Sequence, residues 1–118
     1  MDVSATVDAY VAAWNEQDAE RRKGLLEAVF SADGTYRDPL YSVVGRDALA
    51  EHIEAYQQRF PNSSMDRQSR VDGYGDVLRF AWAIVGPEGE TAIQGIDVVS
   101  VNGDGKIRAV TGFFGELS

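Results

Sequence analysis

Three oxygen-bearing side chains in this sequence have types and positions suited to proton chemistry. Asp97 falls inside an apolar run, between Ile96 and Val98, at even spacing from Ile93, Val99 and Val101. On a strand, that spacing puts all four on one face. If the face is interior, desolvation raises the carboxyl pKa and holds it protonated, which turns an acid into a hydrogen-bond donor. If the face meets solvent or a second subunit, Asp97 is an ordinary surface acid. Asp38 precedes Pro39, so it is either an Asx-turn residue or a general base aimed between sheet and helices. Tyr10 shares a helical stripe with Val3, Val7, Val11 and Trp14. Its ring is either core with the hydroxyl at the edge, or a buried phenol that donates to a developing oxyanion. His52, the single histidine, borders the stripe of Leu49, Ile53 and Tyr56 and is either a packed ring or an acid–base group.

Other chemistries find little support. The 118 residues contain no cysteine, which removes disulfides, thiolate metal sites and thiol nucleophiles. One histidine leaves a metal site to carboxylates, so no metal and no cofactor is expected. Gly73-Tyr74-Gly75 lacks the third glycine and following helix of a phosphate loop, and there is no Gly-x-Ser-x-Gly elbow. Asn102-Gly103-Asp104-Gly105 is too short for a calcium loop. The net charge of −8 opposes nucleic acid and anionic membrane surfaces as partners. Small molecules and other proteins remain. With no apolar run near ~20 residues and no basic, apolar leader after Met1-Asp2, a cytoplasmic location is expected.

The elements that must position these residues read as helices first and strands second, over one domain spanning 1–118. A first helix carries the Tyr10 stripe and breaks at Asn15–Asp18. Asp18 can cap a second helix with Leu25, Leu26, Val29 and Phe30 on its apolar face. Ser31-Ala32-Asp33-Gly34 reads as the turn ending it, with Gly34 able to take a positive φ. Residues 35–40 read as a strand stopped by Pro39, and Gly45 precedes a third helix from about Arg46 to Phe60. Then the period becomes two: strands are expected over 65–71, 77–85, 90–101 and 106–114, with turns at 72–76, 86–89 and 102–105. Helices followed by an antiparallel meander predict an α+β fold, with the helices on one face of the sheet. In 90–101 both parities carry aliphatic residues. Either the sheet curls around a core or its outer face meets another subunit; both are expected, and with them a homodimer.

The order helix Tyr10, strand Asp38-Pro39, late-strand Asp97 resembles the cone-shaped α+β fold of nuclear-transport-factor-like proteins, SnoaL-like polyketide cyclases and ketosteroid isomerase. Further pieces are Tyr10-Val11-Ala12-Ala13-Trp14-Asn15, Asp33-Gly34-Thr35-Tyr36-Arg37-Asp38-Pro39, Gly95-Ile96-Asp97, Asn102–Lys106 and Phe114-Gly115-Glu116. The resemblance spans the chain and is nearest, in its pattern, to the isomerase, whose mechanism is a worked case of general physical chemistry. It implies three helices on a curved, mostly antiparallel sheet around a pocket for a small apolar molecule. Asp38 would be the general base, with Tyr10 and neutral Asp97 as oxyanion donors. Trp14, Ile53, Tyr56, Phe80, Trp82 and Phe114 would line the pocket. Where the isomerase carries a supporting tyrosine on its third helix, this chain has Ile53, with Tyr56 nearly a turn later. The same scaffold could instead serve a SnoaL-like cyclase, dehydratase or hydrolase, with Asp97 paired to His52, Arg79 or Arg108. It could also be a non-catalytic ligand-binding module.

Overall fold

A computed structural model describes residues 3–115; Met1, Asp2 and Glu116, which entered the sequence reading, lie outside them. Helix α1 spans Val3–Asn15 and buries Val7, Tyr10, Val11 and Trp14 along the expected stripe. Asp18 caps α2, Ala19–Val29: its Oδ1 accepts from the backbone N–H of Glu20 (2.9 Å) and Arg21 (3.1 Å). These bonds satisfy two donors that the helix start leaves open. Arg22 of α2 is almost fully buried, which its sequence surroundings did not suggest. Its guanidinium donates to Glu16 O and to Gln57 Oε1 (2.8 Å), and Gln57 Nε2 donates to Trp14 O and Glu16 O. A charge can be buried there because each of these donors is matched.

The expected turn at Ser31–Gly34 does not form. The chain leaves α2 directly into strand β1, Phe30–Arg37, and Gly34 lies inside it without a positive φ. The turn-type residues instead fall where the register shifts between Phe30 and Thr35. Gly34 serves close approach: a Cβ there would come within 2.5 Å of the Phe30 ring. β1 ends at Arg37, one residue before Asp38-Pro39. A short strand that sequence reading missed, β2 (Ser42–Val44), pairs back onto it before α3, Arg46–Arg59.

The expected strand over 65–71 is realised only as β3, Ser64–Arg67, and part of the expected turn at 72–76 is strand β4, Asp72–Tyr74. Both pair with β5, Val77–Val85, at different stretches of its length. β6 (Thr91–Val101) and β7 (Ile107–Phe114) complete a seven-stranded sheet of order β2-β1-β7-β6-β5-β3, with β4 also on β5. Every pairing is antiparallel except β1 with β7. The sheet is open and curved, and the helices cover its concave face. One tie is specific: the Asn15 side chain at the end of α1 exchanges two 2.8 Å hydrogen bonds with the Met65 backbone of β3.

β6 shows which parity is interior: Gly95, Asp97, Val99 and Val101 are buried, while Ile96, Val98 and Ser100 on the outer face are only half-buried. No described helix is long and apolar enough to cross a membrane.

Candidate active site

Between α1, α3 and the concave face of the sheet lies a cavity of about 160 Å³. Asp97 and Trp82 form part of its floor, from β6 and β5. Asp97 is 3% exposed, and its Oδ1 accepts from Trp82 Nε1 at 2.9 Å. Burial pushes the carboxyl pKa up to about 7; the indole bond offsets part of the shift, and the Asp38 carboxylate adds to it. Two glycines make room for this pair. Gly95 stands opposite Trp82, and a Cβ on it would meet the indole at 2.6 Å. Gly112 stands opposite Asp97, and a Cβ on it would lie 3.0 Å from Asp97 Oδ1 and 3.5 Å from Asp38 Cβ. The Asp97 carboxyl and the Asp38 Cβ therefore both stand beside the bare backbone of Gly112.

Asp38 lines the same cavity from the end of β1. Its Oδ1 accepts from the N–H groups of Leu40 (2.8 Å) and Tyr41 (2.9 Å), and its Oδ2 accepts from the Tyr36 hydroxyl (2.6 Å). The Asx turn is formed, and the carboxylate that forms it also faces the cavity. Tyr36 sits two residues earlier, on the same face of the strand. Sequence reading missed it as a site residue, although that spacing was the available signal. The phenol pKa of Tyr36 is raised, chiefly by burial and then by the neighbouring Tyr10.

Tyr10 is fully buried but does not line the cavity. Among the described residues its hydroxyl has no hydrogen-bond partner of good geometry, and its ring stacks on Phe30 (6.4 Å) and meets Trp14, its nearest polar neighbour, edge-on (6.4 Å). Its pKa is well raised, first by burial and next by the Asp97 carboxyl, with a smaller contribution from Asp38. The hydroxyl thus lies within electrostatic reach of both acids, one layer behind the wall. Trp14, Tyr56, Trp82 and Phe114 line the cavity. Ile53 and Phe80 do not: Ile53 is fully enclosed in core, and Phe80 contributes instead to a separate depression with Arg79 and Asp72.

His52 is in the wall, packed against Trp14, Tyr36 and Tyr41 at 5.9, 5.3 and 4.8 Å between ring centroids. Its pKa is lowered, mainly by burial, against the pull of Asp38 and with a further push from Arg59. Asp97 pairs with neither His52 nor an arginine. Arg79 is bound to Asp72 (3.1 Å) and Arg108 to Asp76 (3.0 Å), both at the surface. The mouth carries Leu40, Tyr41, Arg59 and Phe60, none of which sequence reading assigned to the site. Among the described residues no cluster of three or more histidine and carboxylate side chains is placed to hold a metal ion.

Three helices on a curved, mostly antiparallel sheet, closed over one acid-bearing cavity, define the nuclear-transport-factor-like class. Within it, the chain belongs to the SnoaL-like domain family, whose pattern matches residues 7–110. A candidate isomerase of the SnoaL-like family from Agrobacterium tumefaciens C58 is 38% identical, with TM-score 0.90 over 95% of this chain and 96% of that one. More distant structures share the fold. A candidate polyketide cyclase from Sinorhizobium meliloti is 16% identical, with TM-score 0.72 over 92% and 93% of the two chains. A Catenulispora acidiphila protein of ketosteroid isomerase-like fold, solved with trimethylamine, is 20% identical, with TM-score 0.71 over 91% and 82%. No curated protein sequence matches the chain.

Proposed function

We propose that this protein is a cofactor-free enzyme that forms an enolate from a small carbonyl compound. The observation that carries the reading is that Asp38 and Asp97 line one largely apolar cavity, with both side chains beside Gly112. Asp38 takes the proton from the carbon beside the carbonyl. Asp97, protonated below about pH 7, donates a hydrogen bond to the oxygen as it gains charge. Return of the proton from Asp38 to a conjugated carbon moves a double bond and completes an isomerisation. Attack of the same enolate on a second carbonyl would close a ring, so isomerase and cyclase share this first step. The similarity to the Agrobacterium candidate isomerase favours the former.

A cavity of about 160 Å³ suits one ring better than four fused ones; an engineered cavity of ~150 Å³ holds benzene. The test is conversion of cyclohex-3-enone, alongside a β,γ-unsaturated ketosteroid, followed by the absorbance of the conjugated enone. Expected is conversion of the one-ring substrate that Asp38→Asn lowers by about a thousandfold or more, at the upper part of the range for a positioned base. Folded protein that leaves both substrates at the buffer rate removes the reading.

The protein is further proposed to act as a homodimer through the outer sheet face. There Phe113, 54% exposed, stands opposite the half-buried Ile96, with Val98 and Thr111 beside them. Sedimentation velocity should give twice the monomer mass, and Phe113→Asp should give the monomer. A monomeric wild type at micromolar concentration defeats the proposal.

A further inference from the structure

The cavity mouth holds a cation that is held in place by an aromatic side chain and not by a carboxylate. Arg67, Arg79 and Arg108 are each matched to an aspartate, Asp8, Asp72 and Asp76. Arg22, Arg46 and Lys106 donate instead to uncharged backbone or amide oxygens. Arg59 lines the cavity, yet no carboxylate among the described residues lies within ion-pair distance of it. It is nonetheless held in place. Its Nη1 donates to the Tyr41 hydroxyl, and its guanidinium carbon sits 5.0 Å from the centre of the Tyr41 ring. Ordering a side chain this long costs rotamer entropy, and the two contacts to Tyr41 offset part of that cost without neutralising the charge.

Tyr41 also fixes where that charge stands relative to the site. Its backbone N–H bonds Asp38 Oδ1, while its side chain holds Arg59. One residue therefore carries the base on its backbone side and the cation at its ring end. The guanidinium keeps Nε and Nη2 free of described partners, a fork suited to a carboxylate. The Tyr41 hydroxyl, accepting from Arg59, retains its own proton for the same anion.

We propose that the cavity takes a small organic acid: one ring or a short chain inside, with its carboxylate at the mouth on Arg59 and Tyr41. The placing of the carbonyl between Asp38 and Asp97 rests on the enolate reading above. The carboxylate site does not.

The test uses two inert probes, 3-phenylpropanoate and its neutral isostere 3-phenylpropanamide, titrated into wild type, Arg59→Gln and Arg59→Lys by calorimetry. In wild type the acid should bind at least ~10-fold tighter than the amide, the range of a charge-assisted contact. Arg59→Gln should abolish that preference by weakening the acid far more than the amide, and Arg59→Lys should restore only part of it. Arg59 is exposed at the end of α3, and an unchanged unfolding temperature shows that the variants are folded. Equal binding of acid and amide overturns the proposal. So does an acid preference that survives Arg59→Gln, or no binding of either probe. Because neither probe reacts, the result is independent of turnover. Acid preference without enolate chemistry would sink the enzyme reading alone, and turnover of neutral ketones without acid preference would sink this one alone.

Discussion

The cavity is built from two regions that hold a carboxyl in opposite ways. At the end of β1, Asp38 is half-exposed and accepts three hydrogen bonds, two of them from the backbone of the turn it forms. On the floor, Asp97 is buried with one hydrogen-bond partner, the Trp82 indole. A turn supplies N–H groups that nothing else claims. An interior strand has already committed its backbone to neighbours on both sides. The same side chain is thus suited to carry charge in one place and to go without it in the other. This separation of roles between two acids is what acid–base chemistry near neutral pH requires.

After the loss expected of Asp38→Asn, the contrast is broken next most severely at Asp97. Replacement by Leu removes the donor and should slow turnover by about 10²–10³-fold, the cost of one oxyanion-hole donor. Replacement by Asn keeps a neutral donor and should stay within about tenfold of wild type. It should also remove the fall in rate expected as pH rises through about 7, where Asp97 loses its proton. Stability follows the same group. The folded pKa of about 7 exceeds the unfolded value of 3.8, so between those values the native state holds a proton that the unfolded chain has lost. Stability therefore falls as pH rises across that window and levels off above it, by on the order of a few kcal/mol. Asp97→Asn should raise the unfolding temperature at pH 8 and change it little near pH 4. An equal effect at both would mean that the carboxyl is not desolvated.

Among the partners of the other carboxyl the expected effect is smaller. Tyr36→Phe keeps the ring in the wall and removes the bond to Asp38 Oδ2. A bond to a charged group is worth about 1.5–3 kcal/mol, and part of it should appear as a fall of about tenfold in kcat with KM unchanged. A change confined to KM would assign the hydroxyl to binding and deny it a role in holding the base. The smallest effect is expected at Tyr10. Its hydroxyl is buried without a partner of good geometry, so Tyr10→Phe should leave activity within a few-fold and stability unchanged or raised by about 1 kcal/mol. A loss of 10²-fold in kcat would instead give Tyr10 the donor role that the resemblance implies.

Much of this arrangement was legible in advance. The period-2 run over 91–101, with Asp97 on the parity of Val99 and Val101, is an interior-face pattern, and that parity is buried. Asp18, Gly45, Asn102 and Gly105 announced a cap or a turn, and each stands at one. The misreadings share a cause. Asp72–Tyr74 has turn-type residues yet lies in a strand, because pairing with β5 supplies backbone bonds that outweigh local propensity; Ser31–Gly34 forms the irregular stretch of β1 between Phe30 and Thr35, which are both paired with β7. Tyr36, Tyr41 and Arg59 escaped notice as site residues because their types are ordinary for a strand, a loop and a helix end.

What the sequence determined by itself is whatever local spacing controls: three helices, the faces of the longer strands, and the oddity of an acid inside an apolar run. Which tyrosine reaches the cavity was decided only by tertiary structure. Tyr10 and Tyr36 are both buried aromatic residues on apolar faces, and the only local sign that separates them is the two-residue spacing of Tyr36 from Asp38. The packing of α1 against Phe30 draws Tyr10 behind the wall, while the end of β1 carries Tyr36 alongside Asp38. The convergence of Asp38 and Asp97 beside Gly112 likewise depends on the parallel pairing of β1 with β7 and the antiparallel pairing of β7 with β6. Such contacts join residues far apart in the chain, and their geometry is set by how layers pack, which periodicity within a segment does not encode.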